Sequence, residues 1–117
     1  MSTDKYGGNY YFAGMPSSET KYAVWRPDIT LERNYDVYAW YPQGSKRSAK
    51  APYTVYWNGG SQAVQVNQQT NGGQWNLLTG GKPFAVGTSG YVKLSNKTGE
   101  TGRVVIADAT KFVYAGS

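Results

Sequence analysis

The stretch Ala51–Leu78, APYTVYWNGGSQAVQVNQQTNGGQWNLL, decides the fold of this chain. Apolar and polar residues alternate along it, and the pairs Gly59-Gly60 and Gly72-Gly73 interrupt the alternation. A period of two is typical of strands with one buried face, and Asn-Gly between two such runs is a strong hairpin signal. The stretch therefore predicts strand, tight turn, strand, polar tip, glycine turn and strand.

Similar short segments continue on both sides of this stretch, with turn signals between them. In YDVYAWY at 35–41, Asp36, Tyr38 and Trp40 share one face, which we expect to be the wetter one because it carries a carboxylate. Gly80-Gly81 is expected to end the strand that begins at Trp75. The predicted strands are 10–13, 21–26, 35–41, 53–57, 63–69, 75–79, 90–95, 103–107 and 111–114, with a strand fragment at 83–86. This pattern predicts an all-β fold, an antiparallel β-sandwich or jelly roll.

Length and composition restrict the chain to one domain and exclude several chemistries. With 117 residues, positions 1–117 are predicted to form a single β-sandwich, of which 1–9 are a loose start. The chain has no Cys and no His, which excludes a thiol nucleophile, a Ser-His-Asp triad and a zinc site of thiolates or imidazoles. Catalysis by paired carboxylates needs a cleft that a small sandwich rarely forms, so we do not expect an enzyme.

The net charge of +5 favours an anionic partner such as an acidic polysaccharide or nucleic acid, with plain solubility as the alternative. The basic residues are scattered and no RNA-recognition or cold-shock signature is present, so nucleic acid is not the expected partner. The sequence has no apolar run of about 20 residues, so no membrane partner is expected. We expect a secreted, extracellular location, as a module cut from a larger protein.

Seven blocks follow one another in a fixed order: WRPDI from Trp25, YDVYAWYP from Tyr35, APYTV from Ala51, NGG from Asn58, VNQQTNGGQWNLL from Val66, FAVGTSGYVKLS from Phe84 and VVIADATKFV from Val104. Together they resemble the golvesin/xanthan-lyase C-terminal-type domain over residues 22–113. The resemblance implies a jelly roll of the galactose-binding type. It also implies a non-catalytic, carbohydrate-binding-like module of secreted bacterial proteins. Tyr56-Trp57 and the cationic loop at 46–50 depart from the family pattern.

A carbohydrate site needs flat aromatic faces for the C–H surface of a sugar ring, and polar groups for its hydroxyls. The aromatic candidates are Tyr38 with Trp40 and Tyr56 or Trp57, while the cations would pair with uronate, pyruvate or sulfate groups. Amides at 67–69 are further candidates for reading hydroxyls. The predicted ligand-binding residues are Tyr38, Trp40, Tyr56, Trp57, Arg26, Lys46, Arg47 and Lys50.

Each feature also has a structural alternative. Trp25 and Trp75 are expected in the core, and the amides of Gln68-Gln69 are expected to cap backbone groups. Asp108 is expected to accept backbone N–H groups, with a structural Ca²⁺ as the alternative, and no other metal or cofactor is expected. The favoured function is a module that binds polysaccharide and anchors a larger protein. The alternative is a protein–protein or self-assembly module, a homo-oligomer or a contact with host-protein domains, without a sugar ligand.

Overall fold

All regular structure in the computed structural model is β-strand over the residues it describes, 10–13 and 18–116. The expected loose start at 1–9 lies outside these residues. The all-β prediction is confirmed, and each predicted strand has a counterpart. The strands are β1 (Tyr10–Ala13), β2 (Tyr22–Trp25), β3 (Arg33–Trp40), β4 (Ala51–Trp57), β5 (Gly60–Val66), β6 (Asn76–Phe84), β7 (Tyr91–Ser95), β8 (Val104–Ala107) and β9 (Ala109–Gly116).

Two antiparallel sheets form a β-sandwich. One has the strand order β2-β7-β4-β5 and the other β6-β3-β9, while β1 pairs with β8 separately. The stretch Ala51–Leu78 contributes to both sheets, because β4 and β5 form a hairpin in the first sheet and β6 belongs to the second. Neighbouring strands far apart in sequence, such as β2 with β7 and β3 with β9, are the crossovers expected of a jelly roll.

The core lies between the sheets and follows from the alternation of each strand. Tyr53 and Val55 of β4 point inward beside Val92 and Leu94 of β7, and all four are at most 1% exposed. Val37 from β3 meets them from the opposite sheet within the same apolar cluster. Burying a side chain of this size contributes roughly 1.5–3 kcal/mol. These inward positions therefore supply much of the stability, and the outward positions remain available for contacts with ligands.

The prediction that Gly80-Gly81 ends a strand is wrong, because β6 continues through both glycines to Phe84. The register with β3 passes from Tyr35 opposite Lys82 to Val37 opposite Thr79, so both glycines lie opposite the single residue Asp36. This is a β-bulge. Gly81 adopts a φ of 63°, and its N–H donates to Asp36 Oδ1 at 2.9 Å. A glycine pair in a strand can thus mark a bulge instead of an end.

The expectation that the whole Asp36 face is wet is wrong at Trp40, which is only 7% exposed. Trp40 is the last residue of β3 and lies opposite Ala109, at the junction of β8 and β9. Asp108 and Ala109 at that junction are themselves buried. Tyr38 and Asp36, further along the same face, are half-buried as the alternation indicates.

Candidate ligand-binding surface around Arg26

The predicted ligand-binding residues do not converge on one place. The loop with Lys46, Arg47 and Lys50 is bound to β8, where Val104 N–H donates to the Lys46 carbonyl at 3.0 Å. Lys46 and Lys50 are exposed and Arg47 is half-buried. The loop precedes the first residue of β4, whereas Tyr56 is five residues further, about 17 Å along an extended strand. Its cations therefore lie at the opposite end of β4 from Tyr56.

Tyr38 lies on the outer face of the β6-β3-β9 sheet, where its own chain contributes a cation. Lys111 Nζ lies 5.2 Å from the Tyr38 ring centroid and 4.6 Å from the Trp75 ring centroid. Ammonium groups at these distances are attracted by the ring quadrupole. Lys111 therefore already occupies part of the aromatic surface around Tyr38. Trp75, expected in the core, is half-buried beside this lysine.

Trp57 points to the inside of the sandwich, not to the outer face where Tyr56 lies. It is half-buried, packs against the core cluster, and its ring centroid lies 5.0 Å from Lys82 Nζ. Its indole also covers Gly60, where an added Cβ would come within 2.9 Å of Trp57 Nε1. Trp57 therefore closes the end of the sandwich beside the hairpin turn.

Arg26 and Tyr56 are brought together by Tyr91, which the sequence did not single out. The strand order β2-β7-β4 places Tyr91 between them on the outer face. The Tyr56 and Tyr91 rings stack at 4.4 Å with an interplanar angle of 23°, and the Arg26 guanidinium lies 4.3 Å from the Tyr91 centroid. Arg26 also donates from Nη1 to the Thr88 carbonyl at 3.4 Å. These side chains form a row across the sheet, which we call the Arg26 row.

The Arg26 row adjoins a pocket of about 240 Å³ where the edge strand β2 faces the edge strand β9. Trp25 forms one wall and packs against Tyr53, with ring centroids 6.3 Å apart, while its Nε1 donates to the Asp108 carbonyl at 3.3 Å. On the other side, Phe112 packs edge to face on Phe84 at 5.2 Å. The two aromatic walls are therefore fixed by internal contacts. The residues that line the pocket are Trp25, Arg26, Pro27, Thr110 and Phe112.

Another cation on the same outer face, Lys93, has an acidic partner, unlike Arg26. Lys93 Nζ lies 3.1 Å from Glu19 Oε2, and a hydrogen bond from Ser95 together with the Lys93 charge holds the pKa of Glu19 below its ordinary value. Among the described residues, no carboxylate lies within 4.0 Å of the Arg26 guanidinium. Arg26 is therefore a positioned cation without a described acidic partner.

The amides of Gln68 and Gln69 bond to backbone groups, as the capping interpretation predicted, and the amide of Asn67 does so as well. Gln68 is fully buried, donates to the Ile106 carbonyl at 2.8 Å and to the Tyr53 hydroxyl at 3.2 Å, and accepts from Ile106 N–H at 2.9 Å. Gln69 donates to the Arg47 carbonyl, and Asn67 accepts from the Gln69 N–H. Burial also raises the pKa of Tyr53. None of these three amides is directed toward the Arg26 row.

Among the described residues, no group of three or more carboxylates is arranged to hold a metal ion. Asp108 is 2% exposed, and its carbonyl accepts the Trp25 indole N–H. In the part of the chain that is described, no helix has the length and apolar character needed to cross a membrane.

Three residues of this surface, Tyr91, Thr110 and Phe112, were not among the predicted ligand-binding residues, and the sequence carries a signal for only part of their placement. Alternation along β7 places Tyr91 outward with Lys93, because Val92 and Leu94 point inward. The neighbour of β7 in the sheet is not encoded in this local pattern, so the stack with Tyr56 was not predictable. Thr110 and Phe112 also join Trp25 only because two strands distant in sequence become facing edges.

The fold and this surface define a small β-sandwich module with an aromatic pocket between its two sheets. The chain belongs to the Golvesin C-terminal domain family, whose model matches residues 1–114. This confirms the resemblance found in the sequence. The chain is 31% identical over 115 residues to a xanthan lyase of Bacillus sp. (strain GL1), covering 97% of this chain and 12% of that protein.

The structural comparison agrees with the sequence comparison. The solved structure of a Paenibacillus xanthan lyase superimposes with a TM-score of 0.83 at 34% sequence identity. The match covers 96% of this chain and 10% of the lyase chain. The chain thus spans about an eighth or less of the length of the relatives it matches.

Proposed function

We propose that this chain is a non-catalytic carbohydrate-binding module of a larger, secreted protein, and that it holds polysaccharide in the pocket beside Arg26. The observation that carries the proposal is the pocket itself. It combines a fixed indole wall at Trp25, a hydroxyl at Thr110 and a guanidinium at Arg26. Flat aromatic surface with a few directed polar groups is what a pyranose ring requires.

Binding would use the two kinds of surface together. The C–H face of one sugar ring packs on the Trp25 indole, and the Thr110 hydroxyl, which can both donate and accept, bonds to a ring hydroxyl. Because internal contacts already hold Trp25 and Phe112, little side-chain entropy is lost on binding. The chemistry is recognition only and requires no cofactor or metal.

The comparison with the relatives supports a non-catalytic role for this chain within a larger protein. They are named for action on xanthan, and this chain corresponds to only 12% of one and 10% of the other. The chain has no Cys and no His, so it lacks a thiol nucleophile and the commonest general base. We propose that the module keeps its parent protein on a polysaccharide, and that the partner is polysaccharide and not nucleic acid or membrane.

Affinity electrophoresis in gels containing xanthan, polygalacturonate, alginate or dextran tests the proposal. The wild-type chain should be retarded by at least one polymer, and Thr110→Val and Trp25→Ala should weaken that retardation. Trp57→Ala is the matched control, because Trp57 is also a half-buried tryptophan packed against the core. Circular dichroism and thermal melting would establish that each variant is folded.

The outcomes separate the competing sites. Retention lost in Thr110→Val and Trp25→Ala but kept in Trp57→Ala supports the pocket. Retention lost only in Trp57→Ala would move the site to the hairpin end, and no retention by any polymer would overturn the carbohydrate function.

The alternative function, assembly with another protein, is favoured by a different surface. Leu77 and Val113 are 57% and 39% exposed on the outer face of the β6-β3-β9 sheet. Exposed apolar residues on one face are typical of protein interfaces. Sedimentation velocity over a hundredfold concentration range would reveal self-association. A concentration-dependent oligomer in a chain that no polymer retards would favour this alternative.

A further inference from the structure

We propose that the sugar unit bound in this pocket carries a carboxylate, as a uronate or a pyruvate ketal does, and that Arg26 is the residue that selects it. This inference rests on the proposed carbohydrate function and specifies the ligand class of the same pocket. It assigns charge selection to one guanidinium, and not to the cationic loop at 46–50.

Arg26 is positioned as an anion-binding group. Its guanidinium lies 4.3 Å from the centroid of Tyr91, which is itself stacked on Tyr56. A guanidinium has five N–H donors, and the described contacts use one of them, for the Thr88 carbonyl. The planar fork matches both oxygens of a carboxylate, and stacking on an aromatic ring fixes the plane without using the N–H groups. The remaining donors can therefore pair with a ligand.

Among the described residues, the surrounding charges leave the Arg26 guanidinium without an acidic partner. Lys93, on the same outer face, pairs with Glu19. Asp28, two residues after Arg26, is exposed, and no ion pair joins it to the guanidinium among the described residues. A ligand carboxylate would thus meet a guanidinium whose charge is not already neutralised by the described part of the chain.

The position of Arg26 suits a carboxylate attached to a stacked ring. Trp25 and Arg26 are consecutive, so strand alternation sends the indole inward as a wall and the guanidinium outward to the rim. Thr110, on β9, is inward like Ala39, its partner in β3. A sugar ring on the indole would therefore direct its hydroxyls toward Thr110 and a ring-edge carboxylate toward Arg26.

The test compares each acidic polymer with its own carboxyl-reduced form. Affinity electrophoresis is run with the wild-type chain, Arg26→Gln, Arg26→Lys and Lys50→Gln. The acidic polymers are xanthan, polygalacturonate and alginate, each before and after carbodiimide–borohydride reduction of its carboxylates. Dextran is the neutral polymer. Lys50→Gln is the matched control, since it removes the same charge from an exposed residue at the other end of β4. Runs at 50 and 300 mM NaCl distinguish local pairing from general attraction by the net charge.

We expect reduction of the carboxylates to weaken wild-type binding by about tenfold or more, the usual effect of losing a charge-assisted, bidentate contact. Arg26→Gln should bind the acidic and reduced polymers equally. Arg26→Lys should retain part of the discrimination, because an ammonium keeps the charge and loses the fork. Lys50→Gln should discriminate as well as the wild-type chain does.

Other results overturn the inference in distinguishable ways. Binding of dextran alone, or equal binding of acidic and reduced polymers by the wild-type chain, would overturn the inference that the bound sugar carries a carboxylate. The proposed carbohydrate function would remain intact. Equal losses in Arg26→Gln and Lys50→Gln would show that net charge is responsible and would overturn the role of Arg26. Failure to bind any polymer would overturn the carbohydrate function and this inference together.

Discussion

The two ends of strand β4 use polar residues in opposite ways. At the Ala51 end, buried polar side chains bond within the protein: Gln68 holds both backbone groups of Ile106, and Glu100 accepts from Ser48 Oγ at 2.6 Å. At the Tyr56 end, the described contacts of Arg26 are one aromatic ring and one carbonyl. We call these the amide end and the Arg26 end.

The difference shows that residue type does not identify a binding residue. Amides are suited to sugar hydroxyls, yet those at the amide end are committed to backbone groups. A buried polar group without a partner costs about 1–3 kcal/mol, so a buried amide is held by internal hydrogen bonds and is not available to a ligand. At the Arg26 end, exposure to solvent lets Arg26 remain without a counter-ion among the described residues. We therefore expect substitutions at the amide end to change stability and substitutions at the Arg26 end to change binding.

The largest effect is expected from Gln68→Ala. Two backbone groups of Ile106 would lose a buried partner, so the free energy of unfolding should fall by about 4 kcal/mol. Urea denaturation followed by fluorescence measures this loss. Gln69→Ala is the matched control: Gln69 is half-buried and makes one side-chain bond, so about 1 kcal/mol is expected. A loss below about 1 kcal/mol in Gln68→Ala would contradict the structural role of the amide end.

Gly90→Ala should cause the next largest loss of stability, and it should also disturb the pocket. A Cβ at Gly90 would overlap the Phe84 ring, and Phe84 supports Phe112, which lines the pocket. Overpacking of this kind costs about 2 kcal/mol and should also weaken polymer binding. The exposed neighbour provides a control, since Ser89→Ala should change stability by less than about 0.5 kcal/mol. Unchanged melting of Gly90→Ala would show that the ring can move aside.

A pH-dependent effect is expected at Tyr53, whose hydroxyl accepts from Gln68. Burial raises the pKa of Tyr53, so above about pH 10 the unfolded chain loses this proton while the folded chain keeps it. Stability present below that pH is therefore lost as pH rises, with a slope approaching about 1.4 kcal/mol per unit. Urea titrations from pH 8 to 11 should show a shallower decline for Tyr53→Phe. Identical slopes would indicate that Tyr53 ionises freely in the folded protein.

The smallest effect is expected from Glu19→Gln, which removes the carboxylate that compensates Lys93. The pKa of Glu19 is lowered, so its contribution exists above its ordinary pKa and is lost as pH falls through the folded value. Because the pair is exposed, the loss at pH 7 should be below about 0.5 kcal/mol and should vanish near pH 3. Polygalacturonate binding should strengthen slightly as a second cation on that face becomes uncompensated. A larger loss of stability at pH 3 than at pH 7 would reverse the assigned sign.

Much of the sandwich could be predicted because alternation records which face of each strand is buried. The inward set of β4, Tyr53, Val55 and Trp57, and the outward Tyr56 are as the period of two predicts. The errors at Gly80-Gly81 and at Trp40 both arise from contacts with segments that are distant in the sequence. Gly80-Gly81 forms a bulge completed by the Asp36 carboxylate, and Trp40 is buried by a distant junction.

The candidate site was predictable only in part. Arg26 and Tyr56 were predicted from the sequence as ligand-binding residues, and the structure brings them to one outer face; their ligand role stays a prediction. Their connection through Tyr91 depends on which strands become neighbours, and the pocket depends on which edges face each other. Neither the pairing of these strands nor the facing of these edges produces a periodic pattern in the sequence, because the partners are separated by long intervals of chain.

The sequence by itself determined that this protein is all-β, which face of most strands is buried, and that it resembles the family to which it belongs. Alternation and turn residues are read within one segment, and the order of the motifs is read along the chain without knowing which segments are in contact. Only the tertiary structure decided that Gln68 bonds to both backbone groups of Ile106, that Lys111 covers Tyr38, and that Arg26, which has no acidic partner among the described residues, lies beside a pocket. Those facts depend on contacts between distant segments, which determine whether a polar or aromatic group is already used within the protein.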